Sequence, residues 1–404
     1  RRIKEFHIVL LLMTSACVGV FAALDFVLFY LFWEAMHVPM YLLIAVWGGP
    51  NKRYASIKFF LYTLAGSTLL LVAIIAFYSA GGTFSIPELM TKTFSPRLQF
   101  WAFLAMVLAF AIKCPMFPFH TWLPAAHVEA PTAGSVLLAS VLLKMGTYGF
   151  LRFCMPLTPD ACVTFAPLMI ALSLASILYG GIIALGQKDM KKLIAYSSVG
   201  HMGFVTLGIF LFSQRGVEGA VMQMLNHGIT TGGLFMLVGA AYERSHSREI
   251  SENMGLGKYL PAYMFFFGLF SLSSLGFPGT NSFVGEALVL VGAFQESLLV
   301  GGLAIPGAML AAAYMLRLLQ KLAWGEPSRG ATFTDLCPRE WIYLAPLAVF
   351  VLYIGLAPTM TLKVMDPSID KLLKDFSART EYAATARPIN LAHTPVMNGK
   401  EANQ

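Results

Sequence analysis

Six ionisable residues stand inside stretches too apolar to lie in water: Glu34, Lys113, Lys144, His201, His227 and Glu286. A charged side chain near the middle of a membrane helix costs roughly 2.5 to 3.5 kcal/mol on insertion scales, so each needs a partner, internal water or a function. Ionised and alone, the two acids and two lysines would together cost on the order of 10 to 14 kcal/mol, comparable with the stability of a whole domain. Desolvation draws lysine and carboxylate titration towards neutrality, where histidine already titrates. One acid and one lysine early in the chain, a lysine with two histidines in the middle, and one acid late are groups that can hand on a proton once water joins them. Static ion pairs between helices are the plainer alternative, but they would leave the histidines without a role. For His201 taken alone, a neutral ring bonded to a neighbouring helix serves equally well. Lys58, one turn into its apolar run, snorkels to the surface, and Arg317, one turn from Lys321, has the same option.

Other chemistries fail on spacing or placement. Glu34-x-x-His37 and Glu243-x-x-His246 have the spacing of a di-iron carboxylate site, yet the second pair falls in a charged loop and no further buried carboxylates accompany it. The five cysteines (Cys17, Cys114, Cys154, Cys162 and Cys337) stand singly, with no C-x-x-C pair for zinc or an iron-sulfur cluster, so no metal is expected. No G-x-G-x-x-G occurs, and Gly325 to Gly330 is followed by Ala331 instead of lysine, so no nucleotide site is expected either.

The elements that must position these residues are membrane helices. Of 404 residues 57% are hydrophobic and 12% charged, half the roughly 25% usual for soluble chains, and the mean hydropathy is +0.69. The net charge of +7 is not the mark of a nucleic-acid binder, because most Lys and Arg fall in short loops between apolar runs. Crossings are expected at 6–24, 26–47, 54–80, 98–122, 135–153, 162–185, 193–212, 217–242, 259–297, 298–322 and 341–362, making eleven. The chain opens on Arg1, Arg2 and Lys4 ahead of an apolar run. That run is long for a signal peptide and lacks a small-x-small cleavage site, so it reads as a membrane helix in a chain whose start is missing.

The run 259–297 is too long for one straight helix and carries Pro278-Gly279 at its middle. Counted as one broken crossing, it leaves 14 loop cations on the side of residue 1 against 4 opposite; counted as two helices, it leaves 11 against 7. The positive-inside rule prefers the broken crossing, with residue 1 cytoplasmic and the polar tail outside. The fourth crossing breaks too, at Pro115, Pro118 and Pro124. Two five-helix units (1–155 and 160–322), each broken in its fourth helix and the second inverted because five is odd, form a secondary-transporter pattern, followed by a final helix (341–362) and a polar tail (363–404). Within that tail 366–376 is expected as a short surface helix and the last twenty-odd residues as disordered.

Specific stretches go further. Phe29-Tyr-Leu-Phe-Trp-Glu34, the run from Lys113-Cys-Pro through His120-Thr-Trp-Leu-Pro-Ala-Ala-His-Val-Glu-Ala-Pro-Thr-Ala-Gly-Ser135, Leu143-Lys-Met-Gly-Thr-Tyr-Gly149, Lys191-Lys-Leu-Ile-Ala-Tyr-Ser-Ser198 and Gly276-Phe-Pro-Gly-Thr-Asn-Ser-Phe-Val-Gly-Glu286 make the chain resemble the antiporter-like proton-pumping subunits of respiratory complex I, most of all the M type. The resemblance covers residues 1 to about 362, and the family's first three helices have no counterpart, which suggests a fragment or truncated gene. It implies Glu34 as the acid of the first unit, Lys113 as the pumping lysine, Lys144 as the connecting lysine, His201 and His227 as bridges and Glu286 as the terminal group, where L and N types carry lysine. It also implies that NADH, FMN, iron-sulfur clusters and quinone belong to partner subunits, with no cofactor in this chain. The partners would include L-type and N-type chains, in a bacterial plasma membrane or an inner organellar membrane. Subunits of multi-subunit cation/proton antiporters and membrane-bound hydrogenases share these motifs, and a purely structural membrane spacer would not need the midplane charges.

Overall fold

A computed structural model describes residues 2–326 and 333–380 of the chain. The described residues are almost entirely helical, and their only extended pairings are two isolated bridges, Asp25 with Ser85 and Asp189 with Glu249. Nine helices among them are long and apolar enough to cross a membrane. Two further crossings miss that description for physical reasons. The eighth, Gln214–Ser245, has the length but carries Gln223, Asn226, His227, Thr230 and Thr231 along a buried face. The ninth is split into Pro261–Ser274 and Asn281–Glu296, whose 14 and 16 residues span only about 21 and 24 Å at 1.5 Å each.

Eleven crossings result. The first unit comprises Ile3–Ala22, Phe26–Trp47, Lys52–Gly81, a fourth crossing split into Pro96–Lys113 and Trp122–Glu129, and Thr132–Leu157. The second comprises Pro159–Leu185, Met190–Phe210, the eighth and ninth crossings and Leu298–Ala323, and Pro338–Leu356 follows. Large apolar side chains such as Leu61, Ile182 and Leu298 are exposed around the outside, as a lipid-facing surface requires. The seventh crossing is the innermost, with 94% of its apolar window buried, against 28% for the first.

The fourth and ninth helices, split at their prolines, are each a single crossing. The ninth begins where Asp335 accepts hydrogen bonds from the backbone N–H groups of Ala262 and Tyr263, beside Arg244 at the end of the eighth crossing, which donates to the Asp335 carbonyl. Its second half passes the start of the eighth at Gly292, where a Cβ would lie 2.7 Å from Gly216 N, one turn before its end at Glu296. Its two halves therefore run antiparallel to one full-length helix. The fourth crossing does the same along the third: Ala109 lies against Gly66, Thr121 Oγ1 bonds Tyr62 at 2.9 Å, and Glu129 accepts from Asn51 N at 2.9 Å.

The inversion is visible in paired details. Asp25 caps the second crossing by accepting from Val27 and Leu28 N–H and bridges the segment after the third crossing; Asp189 caps the seventh by accepting from Lys192 N–H and bridges the segment after the eighth. These equivalent devices fall at opposite faces, because an odd number of crossings separates them. The face holding the start of the first crossing is the near face below, and the other the far face.

The end of the chain departs from the expected boundaries. The eleventh crossing stops at Leu356, not 362, and Pro358 opens a new helix through Arg379 that absorbs the short helix expected at 366–376. Proline disfavours a helical residue before it and suits the first turn after it, so the chain turns there. The Pro358–Arg379 helix lies across the far face, Phe376 packing on Phe212 at 4.6 Å between ring centres and Arg379 donating to the carbonyls of Pro156 and Met90. Residues 381–404, where the disordered end is expected, lie outside the described residues.

Candidate functional site: two lysine, histidine and carboxylate groups

The first group forms where the second crossing is interrupted. Its helix runs Phe26–Ala35, turns at Met36 and resumes as His37–Trp47, because Pro39 has no N–H and crowds the Ala35 carbonyl four residues back. His37 Nδ1 lies 3.1 Å from Glu34 Oε2, and Lys113 Nζ lies 3.0 Å from His37 Nε2. Lysine supplies only donors here, so Nε2 accepts and the ring's single N–H points from Nδ1 at the carboxylate. Lys113, the last residue before the break, is 1% exposed and stands 5.0 Å over the Trp33 ring. The backbone freed at this break is met by the Trp122 indole, which donates to Ile112 O at 2.8 Å, and by Ser176 of the sixth crossing, which accepts from Phe117 N at 2.8 Å. Glu34 ends the group half-buried, its side chain 29% exposed but its Oε1 shut away from the surface.

The second group starts at Lys144. The fifth crossing contains two π-helical turns, Leu138–Leu142 and Phe150–Cys154, and Lys144 follows the first. Such turns widen a helix and recur at functional sites. Lys144 Nζ donates to the Ala139 carbonyl at 2.7 Å and to His227 Nδ1 of the eighth crossing at 2.6 Å. The His227 and His201 rings lie 5.7 Å apart at 57°. His201 Nδ1 then meets Glu286 Oε1 at 2.7 Å, while its Nε2 faces Tyr314 OH at 3.3 Å and Ser274 Oγ at 3.4 Å. Gln223 Nε2 donates to the same Glu286 oxygen at 3.0 Å.

Glu286 lies just past the second break, whose turn needs Gly276 and Gly279 at φ +74° and +92°. A Cβ on Gly276 would stand 3.1 Å from Glu286 Oε2, so the turn and the carboxylate share one space. Asn281 ties the break down, its Oδ1 accepting from Ser273 Oγ at 2.5 Å and its carbonyl from Asn226 Nδ2 at 2.7 Å. The helices that carry the two groups touch where the fifth crossing abuts the first break: a Cβ on Gly146 would lie 2.6 Å from Phe110 O and 2.8 Å from Cys114 N.

All six sequence-nominated residues thus fall into two clusters, Glu34 with Lys113 and Lys144 with His227, His201 and Glu286. Glu34 and Lys113 do not touch as a simple pair, since His37 stands between them. The sequence reading passed over His37 as a bridge and considered it only for iron; its signal was the i, i+3 spacing from Glu34, which places both on one helix face. Gln223 was likewise passed over, although it stands four residues before His227 on the same face. Among the described residues no group of three or more His, Cys, Asp or Glu side chains is placed to hold a metal. Arranged this way, the site sets lysine donors against histidines and histidines against carboxylates in two buried groups.

A helical membrane bundle of two inverted five-helix units, each with a broken helix beside buried ionisable side chains, has the architecture of the inverted-repeat transport proteins. The family profile described as NADH:quinone oxidoreductase/Mrp antiporter, TM, matches residues 23–311, and the chain belongs to that family. It is 47% identical to NADH-quinone oxidoreductase subunit M of Rhodobacter capsulatus over 93% of this chain and 77% of that one. It is 43% identical to NADH-ubiquinone oxidoreductase chain 4 of Marchantia polymorpha over 92% of this chain and 76% of the relative. Among solved structures it is similar to a chain of respiratory complex I from Thermus thermophilus with bound NADH, at a TM-score of 0.87 and 35% identity, covering 92% of this chain and 79% of that one.

Proposed function

We propose that this chain is a proton-translocating membrane subunit of an NADH:quinone oxidoreductase, and that its two lysine, histidine and carboxylate groups form the relay. The observation that carries the reading is the repeated donor order. In the first group Lys113 donates to His37, and His37 faces Glu34; in the second Lys144 donates to His227, and His201 faces Glu286. Separating Glu34 from the His37–Lys113 pair would make the Lys113 proton easier to lose and send it towards Lys144. From there His227 and His201 pass charge to Glu286, with hydration of the two helix breaks opening and closing access. NADH oxidation and quinone reduction, with FMN and iron-sulfur clusters, belong to partner subunits in this reading, and L-type and N-type chains are the membrane neighbours. The proposed units are residues 1–155 and 160–322, with the near face cytoplasmic.

The test is the intact complex in proteoliposomes, with NADH oxidation and internal acidification followed together. Glu34→Gln should leave electron transfer and assembly in place and depress acidification; acidification at the wild-type rate would remove the group from translocation. For orientation, a cysteine at Lys371 should be labelled from outside the cell. Labelling only from the cytoplasmic face would reverse the assignment of faces.

A further inference from the structure

A crevice runs the height of the bundle on the side made by the first, fifth, eighth and eleventh crossings. It consists of three adjoining cavities. The near-face cavity, about 450 Å³, is bounded by Thr14, Gly239 and Tyr343. A central one of about 530 Å³ has Val141, Leu225 and Leu347 in its walls, with Lys144 among them. The far-face cavity, about 710 Å³, lies under the Pro358–Arg379 helix. Val136 and Met236 border the first two and Val221 the last two, so the three adjoin along one side of the bundle. Along the eighth crossing its lining runs from Val217 to Glu243, about 39 Å at 1.5 Å per residue, enough to cross the roughly 30 Å of a bilayer's hydrocarbon core and reach the headgroup region.

The far-face end differs chemically from the trough. Arg152, Lys371 and Arg379 stand there against one carboxylate, Asp375, whereas the central stretch is apolar apart from Ser140 and Lys144. Arg379 is committed to the Pro156 and Met90 carbonyls and Lys144 to Ala139 O and His227, whereas Lys371 is exposed and Arg152, bonded to Tyr148, keeps guanidinium donors to spare, so these two are the cations at the mouth that meet an arriving anion. The mouth is also roofed. Phe376 packs on Phe212 and holds the last helix across the far face, which obstructs a straight membrane helix leaving the crevice there. A lipid whose headgroup turns under the roof fits the same space.

We propose that this crevice binds one anionic phospholipid from the leaflet at the far face. Its phosphate sits against Arg152 and Lys371, and an acyl chain descends past Val221 and Leu225 to the wall at Lys144. The bound chain closes the lipid-facing side of the Lys144–His227 contact to water. Neither the site nor its occupancy depends on the direction or existence of proton pumping.

The test uses the intact complex in nanodiscs containing phosphatidylglycerol or phosphatidylcholine with a diazirine near the acyl terminus. After irradiation, the labelled residues are mapped by mass spectrometry. Phosphatidylglycerol should label the chain around Val141, Val221 and Leu225 well above phosphatidylcholine, while exposed Leu61 and Ile182 take both probes equally and report bulk lipid. Lys371→Gln, at an exposed position, should lower crevice labelling by about fivefold, and adding Arg152→Gln should lower it by a similar factor again. Val221→Trp should cut labelling at Val141 with the cations intact. Equal labelling by the two lipids, or labelling indifferent to the charge changes, would mean ordinary boundary lipid and overturn the proposal. Labelled Leu61 with an unlabelled crevice would show that protein covers it, and would overturn it equally.

Discussion

The two units place the same three kinds of side chain in the same donor order and then treat the acid oppositely. In the first unit one histidine joins lysine to carboxylate, with contacts of 3.0 and 3.1 Å, and the acid is 29% exposed at the edge of the bundle. In the second unit two histidines do the joining, their rings 5.7 Å apart, and Glu286 is 4% exposed with Gln223 and His201 on one oxygen. A continuous chain ending at a half-buried acid is suited to answering a charge or movement beside it. An enclosed acid behind a gap is suited to holding a proton until that gap is bridged. Both acids have polar neighbours, Tyr30 and Ser67 beside Glu34 and Gln223 beside Glu286, as a carboxylate out of water requires.

The largest effect is expected at the lysine that opens the second group. Lys144→Met removes the donor to both Ala139 O and His227, and acidification should fall by about a hundredfold, the low end for loss of a proton-transfer group; Lys144→Arg should recover part of it. Retained acidification in Lys144→Met vesicles would separate the two units functionally.

Glu286→Gln comes next. Volume and most hydrogen bonding survive, so the assembled complex should form while proton-to-electron ratios drop, with Asp retaining part of the activity. An unchanged ratio would remove Glu286 from the relay, and weakened assembly with normal pumping would make it a structural anchor.

His37→Leu sharpens the comparison by breaking the first group at its single bridge. Acidification should fall by about tenfold or more, whereas His201→Leu, behind a gap already present, should cost less. The reverse ranking, read from the same fluorescence assay, would mean that the gap in the second unit is closed during turnover.

The smallest effect concerns the paired caps. Asp25→Ala should lower the stability of the complex by about 1 kcal/mol, the usual value of an N-cap. Asp189→Ala should cost more, because Asp189 also meets Arg248 at 3.4 Å. Loss of monodisperse complex after graded heating measures both, and equal losses would show that the Arg248 contact contributes nothing.

Much of the fold was legible because a bilayer leaves few choices. Apolar runs of about twenty residues must be helices, since backbone groups in hydrocarbon find partners only within the segment. Prolines at 115, 118 and 278 marked both breaks, and their places in fourth position exposed the inverted repeat. The eighth crossing was readable from its length despite its polar face. Less legible were the interruption before Pro39 and the stop at Leu356, where hydropathy runs on across a change of direction.

For the site, the sequence by itself determined which residues would be costly in a membrane, because that cost depends on residue type and depth alone. It could not determine who meets whom. Lys144 and His227 are 83 positions apart, His201 and Glu286 85, and Lys113 and His37 76, so each contact depends on how two helices are rotated against one another. That rotation is set by close packing, such as Gly146 against the Phe110 carbonyl and Gly285 against Gln223. Only the tertiary structure therefore decided that His37 stands between Glu34 and Lys113, and that the second acid is enclosed while the first is half-buried.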